Sequence, residues 1–147
     1  MLQIIKCNVS HCDELSVLFN DYRIFYGQNS DMESARFFIR ERLTKNDSAI
    51  FAASEDSIMC GFVQLYPSFS SVAMKRTYYL NDLFVNVSFR RNGIAKALIE
   101  KSIEFAKDNS AARITLCTQM ENDAAKNLYI KSGFTKNTAY DYFNFAL

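Results

Sequence analysis

The stretch Leu83–Lys107 constrains this chain more than any other. An apolar run ending at Val85 gives way to a short polar segment, bends at Gly93 and continues as Ile94–Lys107. There Ile94, Ala95, Leu98, Ile99, Ile103 and Ala106 recur at helical spacing, with Lys96, Glu100, Lys101 and Glu104 on the other faces. A strand that turns straight into a strongly amphipathic helix belongs to a layered α/β domain, in which the helix covers a sheet. The step also has a chemical side. The first turn of a helix presents backbone N–H groups without an intrahelical acceptor, at the positive end of the helix dipole. A glycine at the bend lets that backbone approach an anion closely. Arg90 and Arg91 bring charge suited to a pyrophosphate. A plain helix start flanked by two solvated arginines explains the same residues equally well.

The remaining pattern predicts a strand over Leu2–Ile5 and a helix over about Asp13–Asn20, then the aromatic segment Asp21–Gln28. A second helix, to about Thr44, starts from the capping box Ser30-Asp31-Met32-Glu33 and places Phe37, Phe38, Ile39 and Leu43 on an apolar face. Ala49–Ala53 and Ile58–Tyr66 read as a hairpin across Ser54–Ser57, with Pro67 ending the second strand and Ser68–Lys75 a polar loop. Thr77–Val85, Arg113–Thr118, Phe134–Lys136 and Tyr140–Ala146 read as further strands, and Asp123–Ser132 as a helix stopped by Gly133. Alternation along Thr77–Val85 puts Tyr79 and Asn81 on one side and Asp82 on the other. The order predicts an α/β fold with a mixed, largely antiparallel sheet.

Length and composition narrow the classes. A chain of 147 residues, 49% apolar and rich in Phe and Tyr, suits one domain spanning 1–147 with a sizeable core. Basic and acidic residues number 17 and 16, a balance that points to no nucleic acid and no membrane surface as partner. The apolar runs fall far short of the roughly 18 residues that span a bilayer. Met1–Ser10 lacks the build of a signal peptide, so a cytoplasmic location is expected. Cys7, Cys12, Cys60 and Cys117 form no Cys-x-x-Cys pair and the sole histidine is His11, so no metal site is expected. Buried thiols are the expected state, with Cys60 and Cys117 inside strand-like apolar runs. The glycine loop lacks Gly-x-Gly-x-x-Gly spacing, which excludes a dinucleotide-dependent oxidoreductase.

Two motifs carry a resemblance. Arg90-x-x-Gly93-x-Ala95 matches the Arg/Gln-x-x-Gly-x-Gly/Ala signature of the GCN5-related N-acetyltransferases (GNAT). Asn122-x-x-Ala125-x-x-Leu128-Tyr129-x-x-x-Gly133-Phe134 is similar to that family's second signature, in the expected order. The chain resembles the family over essentially its whole length. The resemblance implies a GNAT-like mixed sheet of about six to seven strands with about four flanking helices. It implies a V-shaped opening between the strand ending at Val85 and the strand Arg113–Thr118, with acetyl-CoA as cosubstrate and no metal. The pantetheine would pair with Leu83, Phe84 and Val85 like an added strand. A backbone N–H near Leu83 or Phe84 would stabilise the oxyanion on the thioester carbon. Arg90, Arg91, Asn92, Gly93, Ile94, Ala95 and Lys96 would hold the pyrophosphate. Asn122 would hydrogen-bond the cosubstrate, although capping the next helix explains an Asn equally well. Tyr129 would protonate the departing thiolate, a transfer that thiol and phenol acidities near 8.5 and 10 allow in a tight complex.

The acceptor implied is a small primary amine, which must shed a proton before attack. In the polyamine-acetylating branch of the family a Glu-Asp pair aligns with Asn81-Asp82, and Asn81 cannot take a proton. Asp82 is then either a base acting through water, or a cation site, or a structural ion pair with Arg76; the readings stand even. Tyr22, Phe25, Tyr26, Tyr66 and Phe69, with Glu33, are candidates to line the acceptor pocket. The resemblance is also compatible with a homodimer paired through Tyr140–Leu147. The competing reading is an acyl-CoA-binding sensor of the same fold with weak or no catalysis, favoured by Asn81 and opposed by Tyr129.

Overall fold

The computed structural model describes residues 1–147. The chain divides into two compact units, Met1–Cys117 and Thr118–Leu147. In the first, β1 (Leu2–Lys6), β2 (Ala49–Glu55), β3 (Ile58–Ser70), β4 (Lys75–Val85) and β5 (Ile114–Thr115) form one open sheet in the order β1-β2-β3-β4-β5. The first three pairings are antiparallel and β4–β5 is parallel.

Strand alternation divides the core in two. On one face Ile50, Ala52, Phe62 and Phe84 meet Leu15, Leu18 and Phe19 of α1 (Cys12–Phe25) and Ala35 and Ile39 of α2 (Met32–Lys45). On the other, Phe51, Ala53, Val63, Leu65, Tyr78 and Leu80 meet Ile94, Leu98 and Ala106 of α3 (Ile94–Asp108). Each fully buried Leu, Ile or Phe contributes roughly 1.5–3 kcal/mol through area removed from water. The helices are therefore held by the sheet more than by their own propensity. No helix is long and apolar enough to cross a membrane.

The second unit holds α4 (Asp123–Lys131) and the chain beyond it. Gly133, at φ 96°, closes the helix. The Phe134 N–H bonds the Tyr129 carbonyl at 3.0 Å and the Gly133 N–H bonds the Ile130 carbonyl at 3.0 Å. The Tyr129 and Phe134 rings lie 6.0 Å apart across that turn. This is a Schellman cap with its usual apolar contact, and it explains the spacing Tyr129-x-x-x-Gly133-Phe134 by backbone geometry.

Several expectations are corrected. The sheet has five strands, not six to seven, because Phe134–Lys136 and Tyr140–Ala146 form none. A strand exists through a ladder to a neighbour; alternating aromatics report a suitable face but supply no partner. Tyr140, Tyr142, Phe143 and Phe145 accordingly stay exposed. The strand expected over Arg113–Thr118 shrinks to Ile114–Thr115. Pro67 does not end β3; it pairs with Tyr78 inside a strand that runs to Ser70, taking in part of the expected loop. The Tyr78 N–H points to the Arg113 carbonyl (3.1 Å), so Tyr78 and Pro67 face away from each other. The missing N–H of Pro67 thus falls on the edge that β2 has already left, where a proline is tolerated.

The α2 cap is Asp31, whose carboxylate accepts from the Ser34 N–H at 3.0 Å, one residue beyond the expected Ser30. Ser30 instead accepts from Asn20 Nδ2. Phe37 lies on the exposed side of α2. Cys7, Cys12 and Cys60 are buried, but Cys117 is exposed because β5 has ended before it.

Candidate active site

Two features of β4 shape the site. The first is a bulge. Gln64 pairs with Asp82 while Leu65 pairs with Leu80, so Asn81 is an extra residue on β4. Gln64 and Tyr66 are two apart on β3 and share a face, so their partners Asp82 and Tyr79 share it too, although three apart. This corrects the expected alternation, which put Tyr79 and Asp82 on opposite sides. The bulge re-aims Asp82 toward α1, on the face that carries Phe62 and Phe84.

There Asp82 is 3% exposed and enters no ion pair. Arg76, the expected partner, lies over the Phe69 ring at 5.4 Å. Neutral donors surround the carboxylate. Gln64 Nε2 donates to Oδ2 at 2.5 Å and Asn81 Nδ2 donates to Oδ1 at 2.9 Å. The Ser48 hydroxyl donates to Gln64 Oε1 at 2.8 Å, which fixes the orientation of that amide. The Tyr22 hydroxyl donates to the Asn81 carbonyl at 3.4 Å. Burial raises the Tyr22 phenol well above its ordinary value, and the Asp82 charge adds to it. Burial followed by Asp82 pushes Tyr66 up to about 12, and burial raises Tyr26 as well, with Cys117 and Asp82 contributing. Tyr22, Tyr26 and Tyr66 of the expected lining therefore gather round one carboxylate. Phe25 packs on Phe84 and under Arg90, while Phe69 and Glu33 are exposed.

The second feature is an unpaired edge. β5 pairs with β4 only at Tyr78 and Tyr79. The Asn86 N–H bonds the Cys60 carbonyl on the β3 side at 2.9 Å. Counting back by twos, Phe84 and Asp82 also face β3, so the amides of Leu83 and Val85 point to the side that no strand of the sheet occupies. The Val85 carbonyl on that side accepts from Arg90 Nε at 2.9 Å. The Arg90 guanidinium also lies 5.2 Å and 5.7 Å over Phe25 and Phe84. Arg90 is thus engaged in holding the strand end to the loop.

The loop that follows uses two left-handed residues, Arg91 (φ 66°) and Gly93 (φ 77°). Gly93 sits at the N-cap of α3 with no side chain capping it. The amides of Ile94, Ala95 and Lys96 form the first turn, and the Gly93 carbonyl accepts from Ala97 at 3.0 Å. Arg91 and Asn92 are exposed beside this turn, and Lys96 faces Glu100 at 3.7 Å. Sequence reasoning missed the residue beneath the junction, Gly61. A Cβ there would come within 2.9 Å of the Phe84 carbonyl oxygen and 3.2 Å of a Val85 methyl carbon. It also missed Gln64 and Ser48, although a single amide inside the apolar run Phe62–Leu65 was a readable signal.

In the second unit Asn122 caps α4, its Oδ1 accepting from the Ala125 N–H at 3.2 Å. Tyr129 is half-buried on that helix.

A strand edge left open beyond a two-residue parallel neighbour thus leads into a helix N-terminus that no side chain caps, in an open mixed α/β sheet. The chain belongs to the acetyltransferase (GNAT) family, whose model it matches over residues 14–134, and is thereby an N-acetyltransferase. It is 40% identical over 139 residues to the uncharacterized N-acetyltransferase YhfO of Bacillus subtilis (strain 168), covering 95% of this chain and 93% of that one. A crystal structure of a probable acetyltransferase superposes with a TM-score of 0.94 at 35% identity, covering 99% of this chain and 97% of that chain. The aminoglycoside N-acetyltransferase AAC(6')-Iy in complex with CoA shares the fold at a TM-score of 0.83 and 19% identity, over 100% of this chain and 96% of that chain.

Proposed function

We propose that this chain moves an acetyl group from acetyl-CoA to a small primary amine by direct attack in a ternary complex, with the whole of 1–147 acting as one domain. The observation that carries this reading is the continuity of two donor sets: the edge amides of Leu83 and Val85 run into the uncapped first turn at Gly93–Lys96. The first set fits an extended amide-containing arm added as a strand; the second fits a diphosphate. The CoA held by the structural relative AAC(6')-Iy supports the same choice of ligand.

In this reading the edge amides of β4 also receive the thioester oxygen, where negative charge develops as the amine attacks. Arg91 and Lys96 add positive charge beside the diphosphate. Arg90, spent on Val85 and two aromatic rings, orients the loop. Asn122, whose Oδ1 is used as a cap, keeps an amide NH2 for the cosubstrate. Tyr129 is the proton donor to the departing thiolate. Asp82 is the base for the acceptor: it is buried, accepts from the side-chain amides of Gln64 and Asn81 and has no cationic partner in the chain, a place that an ammonium ion would fill. The exposed aromatics of Tyr140–Leu147 support pairing of two copies, and the location is cytoplasmic.

The test is thiol release from acetyl-CoA across a panel of polyamines, amino acids, aminoglycosides and simple alkylamines. Turnover with one class, saturable in both substrates with intersecting double-reciprocal lines, is the expected result. Parallel lines would indicate an acetylated enzyme instead, and binding of acetyl-CoA without turnover would indicate a sensor.

A further inference from the structure

We propose that the acceptor is a primary ammonium on an apolar body with no carboxylate beside its nitrogen, and that Asp82 turns α-amino acids away by charge. The inference rests on the acetyl-transfer reading above and names the substrate class of its acceptor half.

Asp82 is 3% exposed and is held by two neutral amides, Gln64 Nε2 at 2.5 Å and Asn81 Nδ2 at 2.9 Å. Every ion pair of the chain forms elsewhere. The cations on the surrounding elements are committed. Arg42 of α2 is bound to Asp47 at 2.8 Å and to Glu41 at 3.3 Å. Arg23 of α1 donates to the Asn29 carbonyl at 3.3 Å, and Arg76 of β4 lies over Phe69 at 5.4 Å. Arg90 is held at the Val85 carbonyl at 2.9 Å, which by strand rise is about 10 Å along β4 from Asp82. A buried carboxylate held by neutral donors alone is completed by a cation from outside the chain. Gln64, on Oδ2, is fully buried, whereas Asn81, on Oδ1, is exposed, so Oδ1 lies on the open side.

The approach to that oxygen is aromatic. Tyr66 follows Gln64 on the same face of β3. Tyr22 reaches over the bulge from α1, its hydroxyl donating to the Asn81 carbonyl at 3.4 Å. Its ring lies 5.8 Å from Phe62, 6.3 Å from Phe84 and 5.0 Å from Tyr26. Phe25 continues the row, 6.3 Å from Phe84. Tyr22 and Tyr66 are half-buried while Phe25 and Tyr26 are exposed, so the row runs from the buried carboxylate to the surface. Ring faces take methylene and aryl groups by area and favour positive charge.

The same arrangement excludes. A carboxylate on the carbon that bears the nitrogen lies only about 2.5 Å from it, across two single bonds. It would enter the site beside Asp82, with no cation to meet it and Arg90 out of reach. Like charges that close act against binding more strongly than ring contacts favour it. Leu83, the next residue, carries the edge amide assigned above to the thioester oxygen, so a nitrogen at Asp82 stands beside the carbon it attacks.

The test is calorimetry on the full chain saturated with CoA, which forms a complex that cannot turn over. Four ligands are compared: phenethylamine, phenylalaninol, phenylalanine and ethanolamine. Phenylalaninol, with a neutral hydroxymethyl in place of the carboxylate, should bind within about tenfold of phenethylamine. Phenylalanine should bind about a hundredfold or more weakly than phenylalaninol. Ethanolamine, which lacks the ring, should bind about tenfold or more weakly than phenethylamine. Asp82→Asn should weaken phenethylamine and erase most of the gap between phenylalaninol and phenylalanine. Phenylalanine bound as tightly as phenylalaninol overturns the proposal, as does ethanolamine bound as tightly as phenethylamine. A gap that survives in Asp82→Asn, or no binding by any of the four, also overturns it. Should Asp82→Asn fail to fold, the wild-type affinities decide alone. Thiol release from acetyl-CoA separates the two readings. Binding in the expected order without release removes acetyl transfer and leaves an amine site, whereas equal turnover of phenylalanine and phenethylamine keeps acetyl transfer and removes the proposal.

Discussion

Gly61 carries a constraint out of proportion to its size. An alanine methyl there would press on the Phe84 carbonyl oxygen at 2.9 Å, on Val85 and on the first residue of α3, Ile94, at 3.4 Å. Backbone cannot yield as a flexible side chain can, so Gly61→Ala should cost about 1–3 kcal/mol in urea unfolding. Because the displaced atoms belong to the edge that ends at Val85, acetyl-CoA should also bind more weakly. Unchanged stability would show that the β3–β4 approach is looser than described. At Tyr129, Phe keeps the ring contact with Phe134 and removes only the hydroxyl. Tyr129→Phe should lower kcat about tenfold or more with the KM for acetyl-CoA unchanged; a wild-type rate would take Tyr129 out of the chemistry. Gly93 and Tyr129 were legible as residues because each sits in a motif whose spacing follows from backbone geometry. Gln64, Ser48 and the aim of Asp82 were not, because one extra residue on β4 inverts the facing of everything beyond it, and periodicity alone does not reveal a bulge.

Among the elements, β4 does most to build the site. Its N-terminal part pairs on both sides, its bulge turns Asp82 to the α1 face, and its C-terminal edge is left to a ligand by the shortness of β5. The helix that follows was readable to within a residue or so at each end, since six apolar positions keep helical spacing. The strand lengths were not. Pro67 lies inside β3 because an edge without β2 needs no N–H, a fact of pairing that the sequence does not carry. At the junction of β4 and α3, a side chain on Gly93 meets nothing within 4 Å, so there is room for one. Gly93→Asp should therefore fold, at a cost of about 1–2 kcal/mol for the left-handed backbone. Its carboxylate would lie beside the first-turn amides, repelling a diphosphate there. Calorimetry should show at least tenfold weaker binding of acetyl-CoA, with the far-ultraviolet circular dichroism of wild type. Unchanged affinity would place the diphosphate elsewhere.

On the scale of the whole molecule, the face carrying α1 and α2 also carries a buried carboxylate ringed by phenols and a buried thiol. Burial pushes Cys7 from 9.0 up to about 12, and it raises Tyr22 and, to about 12, Tyr66 from 10.0. These groups hold their protons longer folded than unfolded. Their contribution to stability is fully present below pH 9 and is lost as pH rises toward 12, because the unfolded chain ionises first. Urea midpoints should fall steadily above about pH 9; a flat profile from pH 8 to 11 would mean that these groups are open to water. The fold class and the order of elements were legible at this scale, and so was the family. The C-terminal strands were not, since an aromatic alternation states what a segment can pair with and not whether a partner is present.

The central claim is that backbone amides of the β4 edge and of the α3 N-terminus hold acetyl-CoA, and amide resonances report on it most directly. Titration of isotope-labelled protein with acetyl-CoA should shift Leu83, Val85 and Gly93–Lys96 first and most, while the outer strand β1 stays unmoved. Saturable shifts that cluster elsewhere and leave those amides in place would contradict it.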